Sequence, residues 1–179
     1  MDVMSTALAR IPAGPIDPTP DEFRIAMRNL SAGVSIVATG YGKAKAGMTV
    51  TSVSSLSIDP PCVLVCLGLS SGTLAALREN GSFGVSILAE NQQSIAERFS
   101  GRAGIHGAAK FVGSHWTTGV TGAPLAVGAL SAIDCTLESL VEWHSHAIVV
   151  GQVRSVHVNE AAAPLVYWRG DYRNIEAED

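Results

Sequence analysis

The sequence predicts a mainly β protein, an antiparallel barrel or sandwich with short helices at its periphery. Six or seven apolar, β-branched segments follow one another along the 179 residues without the strand–helix alternation of a parallel sheet. Turn residues separate most of them. Hydrophobic residues make up 47% of the chain and charged residues 16%, which suits one packed core. A single domain is therefore predicted over residues 19–176, after an N-terminal flexible arm at residues 1–18.

Composition also bears on which classes of partner the chain can have. The net charge is −4 and no basic run occurs, which argues against a nucleic-acid surface. No apolar run approaches the roughly 18 residues that a membrane span needs, and the N-terminus lacks a secretory signal pattern. Cys62, Cys66 and Cys135 are an odd number of cysteines, which indicates reduced thiols and a cytoplasmic protein.

The first predicted helix begins at Thr19. Thr19 suits the N-cap, Pro20 the first helical position and Glu22 the third, which together form a capping box. An apolar face follows at helical spacing, formed by Phe23, Ala26, Met27 and Leu30. Residues 31–33 end the helix.

A β-hairpin follows this helix. Residues 34–39 are rich in β-branched side chains and predict a strand. Residues 40–43 carry the glycines of a turn, and the return strand begins at Gly47. The prolines Pro60 and Pro61 then precede a continuous apolar strand.

The remaining elements are predicted from the same signals. They are the strand at 62–69, a helix at 73–80 capped by Ser70 or Ser71, a strand at 82–88, a helix at 92–99 capped by Asn91, a surface loop at 100–113, two long strands between Leu130 and Val158 joined near 143–145, and a last strand at 164–168 that ends at 169–172.

The segment after Gly47 breaks its strand pattern. Apolar residues alternate at Met48 and Val50, but the next ones are Val53 and Leu56. Such a slip moves side chains to the other face, so the chain must bulge, bend or break there. Six Ser or Thr residues occupy positions 49–57. They indicate either a strand with one solvent face or a cluster of neutral donors for a polar ring or a phosphate.

Two further patterns are open to a structural and a functional interpretation. Ser70-Ser71-Gly72-Thr73 opens a helix, so it either caps that helix or offers an anion site at its N-terminus. His144 and His146 would share one face of a strand. A metal site would need a third ligand such as His157 or Glu142, so a structural role for His144 is favoured and no metal is expected.

Taken together, these segments resemble the short-chain flavin reductase family over residues 19–176. The segments that carry the resemblance are FRIAMRNLSAGVSIVAT, GMTVTSVSSLSIDPPCVLVCL, SSGT, FGVSIL with QQSIAERFSG, HAIVVGQVRSV and PLVYWRGDYRNI. The resemblance implies a split β-barrel, a homodimer, and reduction of FAD or FMN by hydride transfer from NADH or NADPH. It also implies a partner monooxygenase that receives the reduced flavin by diffusion.

The same resemblance implies specific contacts. Those to the flavin ring and ribityl chain are Gly47, Met48, Thr49, Thr51 and Ser52, and those on the pyrophosphate side are Ser54 and Ser55. A second wall for the flavin phosphate comprises Cys66, Leu67, Ser70, Ser71 and Thr73. Weaker cofactor candidates are Asn91, Gln93 and Phe99. His146 matches a histidine beside the nicotinamide, and Arg169, Gly170 and Tyr172 match a segment that binds the nicotinamide dinucleotide.

Several expectations depend on this resemblance. FAD and NADH are preferred over FMN and NADPH, because the resemblance is to reductases that serve FADH2-dependent oxygenases and no arginine pair suits a 2′-phosphate. None of the implied phosphate contacts is basic, which predicts moderate binding and release of flavin. Residues 100–113 are richer in Gly and Ala than the family pattern. A non-catalytic flavin carrier or sensor is the alternative. A relative of pyridoxamine phosphate oxidase is disfavoured because the chain has only three lysines.

Overall fold

The computed structural model describes residues 17–102 and 104–175; most of the predicted N-terminal arm lies outside them. The α-helices are α1 (Pro20–Met27), α2 (Gly72–Asn80) and α3 (Gln93–Phe99), and short 3-10 helices cover Gly42–Ala44, Glu90–Gln92 and Gly107–Phe111. The strands are β1 (Ala32–Gly33), β2 (Ser35–Thr39), β3 (Ala46–Val50), β4 (Ser54–Ile58), β5 (Pro61–Gly68), β6 (Ser82–Ile87), β7 (Trp116–Thr118), β8 (Pro124–Ala126), β9 (Ser131–Trp143), β10 (His146–Val158), β11 (Leu165–Trp168) and β12 (Asp171–Asn174).

The main sheet has seven antiparallel strands in the order β3-β2-β6-β9-β10-β5-β4. Its two edge strands, β3 and β4, are consecutive in the chain, and only residues 51–53 separate them. Four Cα steps from Val50 to Ser54 span at most about 14 Å. The two edges are therefore close together, so the sheet is rolled. This confirms the predicted antiparallel barrel.

The barrel interior is filled by apolar side chains from the strands and from one helix. Leu74 and Leu77 of α2 are fully buried there, against Val37, Phe83 and Val149. A second apolar cluster lies on the other side of β2, where Ile36 and Ala38 pack with residues of α3 such as Ala96 and Phe99. Strand β2 is consequently buried on both faces, in agreement with its β-branched sequence.

The start of α1 is as predicted, but its end is not. The Thr19 hydroxyl accepts from the Glu22 N–H at 3.2 Å and the Glu22 carboxylate accepts from the Thr19 N–H at 2.8 Å. The helix ends at Met27, and Ala32–Gly33 form β1, paired with β11, instead of a helix end. The predicted apolar face is solvent-exposed in this single chain, with Phe23 60% and Leu30 63% exposed.

The C-terminal strand prediction was incomplete. Trp168 pairs with Asp171 across a two-residue turn, and the chain continues into β12. Both turn residues have positive φ, 52° at Arg169 and 91° at Gly170, which is the geometry of a tight type I′ hairpin. Strands β1, β11 and β12 thereby form a second, three-stranded sheet.

Two other local predictions were wrong. Residues 107–111 form a 3-10 helix rather than part of a surface loop, because Phe111 packs against Phe99 with ring centroids 4.9 Å apart. Asn91 does not cap α3. Instead the neighbouring Gln92 side chain accepts from the Ala89 N–H at 3.1 Å and donates to the Val127 carbonyl at 2.9 Å.

Within the described ranges, no helix has the length and apolarity of a membrane span.

Candidate functional site at the barrel seam

The seam of the barrel is the segment where the strand period fails. Strand β3 ends at Val50 and β4 begins at Ser54, with a second irregularity of pairing between Ser55 and Ser57. In the described chain β3 and β4 lie at opposite ends of the strand order. The predicted break is confirmed, and it marks the place where the two sheet edges face each other without a shared ladder.

Ser52 closes part of this seam through its side chain. Ser54 pairs with Leu64 on β5, so Ser52 lies level with Cys66 two residues along the same strand. The Ser52 hydroxyl donates to the Cys66 carbonyl at 3.0 Å and accepts from the Cys66 N–H at 3.2 Å. A side chain thus satisfies the backbone groups that the broken strand leaves without a partner.

Strand β3 is fixed to its other neighbours by two polar contacts. The Thr49 hydroxyl donates to the Ala96 carbonyl at 2.6 Å. The Lys110 ammonium donates to the carbonyls of Gly47 and Phe99 at 3.1 and 3.2 Å. Lys110 is buried, and burial lowers the pKa of its ammonium. A Cβ at Gly47 would lie 2.8 Å from the Phe99 ring, so this close approach requires glycine.

Three adjoining cavities lie near the seam, and Thr51 lines two of them. The hydroxyl cavity, of about 220 Å³, is lined by Thr49, Thr51, Ser100, Arg102, Tyr167 and Tyr172 among others. The α1 cavity, of about 360 Å³, shares Thr51 and Tyr167 with it and adds Ser52. The α3 cavity, of about 560 Å³, shares Arg102 and Tyr172 with the hydroxyl cavity. Because they share wall residues, the three cavities lie next to one another, and we call them together the seam groove.

Aromatic and basic side chains form the wall opposite Thr51. The rings of Tyr167 and Tyr172 pack edge to face with centroids 5.2 Å apart. The Arg102 guanidinium donates to the Tyr167 hydroxyl at 3.2 Å. Burial raises the pKa of Tyr172, so its phenol stays protonated at neutral pH. The groove therefore offers aromatic rings, hydroxyl groups and guanidinium groups.

The second half of the SSGT segment lines a separate cavity. The Ser71 hydroxyl accepts from the Leu74 N–H at 3.2 Å and caps α2, as the structural interpretation predicted. Gly72 and Thr73 line a cavity of about 360 Å³ with Lys43, Lys45 and Lys110, which we call the lysine cavity. None of the implied phosphate contacts is itself basic, but folding brings distant lysines into the same cavity as Thr73.

His146 lies on a different part of the barrel. It begins β10, opposite Trp143 on β9 and Gly68 on β5, two residues beyond Cys66. Its side chain is exposed, and its Nδ1 lies 2.9 Å from the Ser145 hydroxyl. The structure thus places His146 near the β5 end of the seam and outside the three adjoining cavities.

The other residues implied by the resemblance are dispersed. Met48 is half-buried against the barrel core, and Leu67 and Phe99 are fully buried, so their side chains serve packing. Gln93 and Gly170 line the α3 cavity, and Arg169 and Gly170 line the α1 cavity. The side chains of Ser54, Ser55, Ser70 and Asn91 are exposed, outside the described cavities. Over residues 17–102 and 104–175, no three His, Cys, Asp or Glu side chains form a metal-binding group.

Sequence reasoning missed one tyrosine and the other basic residues around these cavities. They are Arg24, Arg28, Lys43, Lys45, Arg98, Arg102, Lys110 and Tyr167. A signal existed for Tyr167 and Tyr172, since Arg169-Gly170 is a turn dipeptide that places the two tyrosines opposite each other. The lysines gave no such signal, because Lys110 reaches Lys43 and Lys45 only when the 3-10 helix at 107–111 packs against β3.

Known proteins resemble this chain over most of its length. Residues 27–176 match the family described as flavin reductase like domain. The reductase subunit HsaB of a flavin-dependent monooxygenase from Rhodococcus jostii (strain RHA1) is 36% identical over 159 residues, covering 89% of this chain and 80% of that protein. The FMN reductase (NADH) RutF of Stutzerimonas stutzeri (strain A1501) is 32% identical and covers 88% and 89% of the two chains.

A solved structure shows the same architecture. The NADH:FAD oxidoreductase SgcE6 of Streptomyces globisporus superposes with a TM-score of 0.82 at 29% identity, covering 93% of this chain and 100% of that one. The rolled sheet with its open seam is the split β-barrel that the sequence resemblance implies. Its matching residues and its fold show that the chain belongs to the flavin reductase like domain family.

Proposed function

We propose that this protein is a flavin reductase that uses a nicotinamide dinucleotide to reduce a flavin bound in the seam groove. The observation that carries the proposal is the groove around Thr51, where hydroxyls face a tyrosine wall in a member of this family. When bound, the flavin supplies the ring that accepts the hydride. The protein then has to bind, orient and shield the reactants, so no paired carboxylates are needed.

The described residues fit a flavin ring. Tyr167 and Tyr172 offer apolar area for a flat heterocycle, and the Thr51 side chain is exposed to the groove. Ser52 and Thr49 use their hydroxyl protons within the fold, so they can offer the ring only acceptor lone pairs. Of the hydroxyls implied by the resemblance, Thr51 is therefore the donor that we place against the flavin.

The nicotinamide dinucleotide is placed at the two ends of the groove. The α1 cavity is lined by Arg169 and Gly170, together with Arg24 and Arg28. The α3 cavity is lined by Gly170 and Tyr172. We place the dinucleotide phosphates beside these basic groups and the nicotinamide toward His146. NADH is the proposed donor, because relatives carry NADH in their names.

We propose that FAD is the preferred flavin and that FMN is a second substrate of the same site. RutF is named for FMN and SgcE6 for FAD. The reduced flavin would pass by diffusion to a monooxygenase, as the name of the relative HsaB suggests for that protein. Cys62, Cys66 and Cys135 are free thiols, which fits the proposed cytoplasmic location.

A homodimer is also proposed, because one sheet face exposes apolar side chains in adjacent positions. Val141 lies opposite Ile148, and Ile148 lies opposite Cys66, so the three share the outer face of β9, β10 and β5. Val141 is 49% and Ile148 37% exposed, and Trp143 is 67% exposed on the same face. Burial of this face against a second copy of the chain is favourable. Sedimentation equilibrium tests the proposed homodimer, and a monomer at micromolar concentration would exclude it.

Steady-state oxidation of NADH with FAD, FMN and riboflavin in parallel, repeated with NADPH, tests the proposed activity. Rapid NADH oxidation that depends on added flavin is expected. A protein that binds flavin but oxidises no NADH would instead be the non-catalytic carrier. A preparation that stays yellow through dialysis and needs no added flavin would contradict release by diffusion.

A further inference from the structure

Arg102 brings a positive charge into the hydroxyl cavity. It lines this cavity together with Thr51 and the two tyrosines, and every other residue of the described lining is uncharged. In the part of the chain that the structure describes, no carboxylate lies within 4.0 Å of its guanidinium. The charge is therefore not neutralised by an ion pair among these residues, and it is available to a ligand in the groove.

Hydrogen bonds determine where this charge lies. The Arg102 guanidinium donates to the Tyr167 hydroxyl at 3.2 Å, and its backbone N–H donates to the Ser100 hydroxyl at 3.3 Å. That serine hydroxyl donates to the Glu97 carbonyl at 2.7 Å, which ties the segment to the end of α3. Burial raises the pKa of Tyr172, and the charge of Arg102 opposes that rise, so its field reaches the groove wall.

The Tyr167 hydroxyl is a donor that Arg102 strengthens. Its oxygen accepts from the guanidinium, and its own proton has no acceptor within the described ranges. A cation bonded to a phenol oxygen draws electron density from it, so the O–H becomes a stronger donor. Arg102 and Tyr167 thus present a guanidinium and a polarised O–H on the wall opposite Thr51.

The proposed reaction adds negative charge to the flavin. The C4–H bond of the dihydronicotinamide breaks, and its hydride forms an N–H bond at flavin N5. The dinucleotide loses two electrons and becomes a cationic nicotinamide, while the flavin gains two electrons and one negative charge on its pyrimidine part. Donors aimed at the place where charge develops stabilise the reduced state more than the oxidised state.

We propose that Arg102 and Tyr167 act together to recognise the reduced, anionic flavin, and so determine which redox state the seam groove binds more tightly. This inference rests on the proposed function. Neither residue is among the contacts that the family resemblance implies. Thr51 is neutral, so it cannot discriminate by charge in the same way. Arg102 is exposed to water, which screens its charge, so the preference is modest and still allows the reduced flavin to leave.

The test compares binding of oxidised and reduced flavin by the full chain. FAD is titrated without NADH, first oxidised and then reduced with dithionite under anaerobic conditions. Arg102→Gln should raise the Kd for reduced FAD about 10-fold and leave the Kd for oxidised FAD within about twofold, because a charge-assisted hydrogen bond is lost. A 10-fold change in the ratio of the two constants lowers the midpoint potential of the bound flavin by about 30 mV.

Two further variants separate the charge from the hydroxyl. Arg102→Lys keeps the charge and should retain the preference for reduced FAD to within about threefold. Tyr167→Phe keeps the ring and removes the O–H, so it should lower the preference several-fold. Riboflavin should show the same effects as FAD, because the proposed contact is with the ring.

Arg154→Gln is the matched control. Arg154 is also an exposed arginine that donates to a hydroxyl, that of Thr136 at 3.0 Å, and it lines none of the cavities described above. The substitution removes the same charge from the protein. It should leave the Kd for both redox states of FAD unchanged.

Several outcomes would overturn the proposal. An unchanged ratio of the two constants in Arg102→Gln is the first. Equal weakening of both redox states would mean that the arginine shapes the groove, and an equal shift in Arg154→Gln would mean a general effect of charge. An effect on FAD but not on riboflavin would assign Arg102 to the phosphates. Failure of the wild type to bind flavin in either state would overturn the proposed function instead, so the two failures are distinguishable.

Discussion

The hydroxyl of Ser52 both donates to the carbonyl of Cys66 and accepts from its N–H, at 3.0 and 3.2 Å. One side chain therefore replaces both bonds of a β-ladder rung at the seam. The family resemblance implies Ser52 and Cys66 as cofactor contacts, and in the structure these two residues bond each other. Any ligand at the seam meets a segment whose backbone path is already fixed by this pair.

Replacement of Ser52 by Ala should destabilise the protein. Both backbone groups of Cys66 would lose their partner, and leaving such half-buried groups unsatisfied costs about 1–3 kcal/mol. Urea unfolding measures the change in the free energy of unfolding. Ser55→Ala is the control, because Ser55 is exposed on the same segment, and it should change the stability by less than about 0.5 kcal/mol. Equal effects of the two substitutions would mean that the Ser52 bonds contribute nothing.

Substitution of Thr49 should affect the stability of the protein, and substitution of Thr51 should affect its flavin affinity. Thr49→Val removes the bond to the Ala96 carbonyl, so it should lower stability by about 1 kcal/mol. Thr51→Val alters an exposed groove side chain, so it should leave stability unchanged and raise the Kd for flavin several-fold. Flavin titration and urea unfolding of both variants provide the comparison. Normal flavin affinity in Thr51→Val would remove that hydroxyl from the site.

His146→Ala should raise the KM for NADH about 10-fold while leaving the Kd for flavin near the wild-type value. The imidazole is exposed at the β5 end of the seam, and Ser145 orients it through a contact of 2.9 Å. Steady-state kinetics at saturating flavin and flavin titration give the two numbers. Parallel losses in both would indicate that the histidine supports the fold of the strand end instead.

Arg169 adopts a backbone conformation that is strained for arginine, with φ 52°. Asn tolerates this region better, so Arg169→Asn should keep or slightly increase the free energy of unfolding despite loss of the bond to Asn29. If the guanidinium binds NADH phosphates, the KM for NADH should rise. Arg173→Asn is the control, because Arg173 pairs with Asp171 at 3.2 Å on the following strand. An unchanged KM in Arg169→Asn would leave the strained arginine without a role in NADH binding.

Stability should fall at alkaline pH through Cys135. Burial raises the pKa of the Cys135 thiol to about 12, from the ordinary value of 9.0. Between these values the unfolded chain releases a proton that the folded chain retains, so the free energy of unfolding decreases as pH rises from about 9 toward 12. Urea unfolding at pH 8 and pH 10.5 should show a larger loss in the wild type than in Cys135→Ala. Identical losses would contradict the assignment to this thiol.

Local elements were predictable from the sequence because their signals are local. The capping box of Thr19 and Glu22 and the Ser71 cap depend on residues three apart, and the structure contains both. The broken period after Val50 also identified the seam, because alternation fails wherever a chain leaves its sheet. The strand pattern left a barrel or a sandwich open, and the family resemblance specified a split β-barrel and pointed to Thr51, which lines the groove.

The features that the sequence did not predict depend on contacts between residues far apart in the chain. The meeting of Lys45 with Lys110 requires β3, α2 and the 3-10 helix at 107–111 to pack together. The division of roles among the hydroxyls also escaped prediction. Thr49 bonds Ala96, Ser52 bonds Cys66 and Thr51 remains exposed, and only the fold distinguishes these three. Strands β1, β7 and β8 have too few residues to show a period.

The juxtaposition of β3 and β4 has a consequence for solubility. Edge strands carry unpaired N–H and C=O groups that can recruit strands from other molecules and start aggregation. In this protein the two outermost strands of the seven-stranded sheet, β3 and β4, are joined by three residues and lie close together. A neighbouring molecule therefore meets a seam in place of two open edges, and the segment that forms the candidate binding groove also limits intermolecular strand pairing.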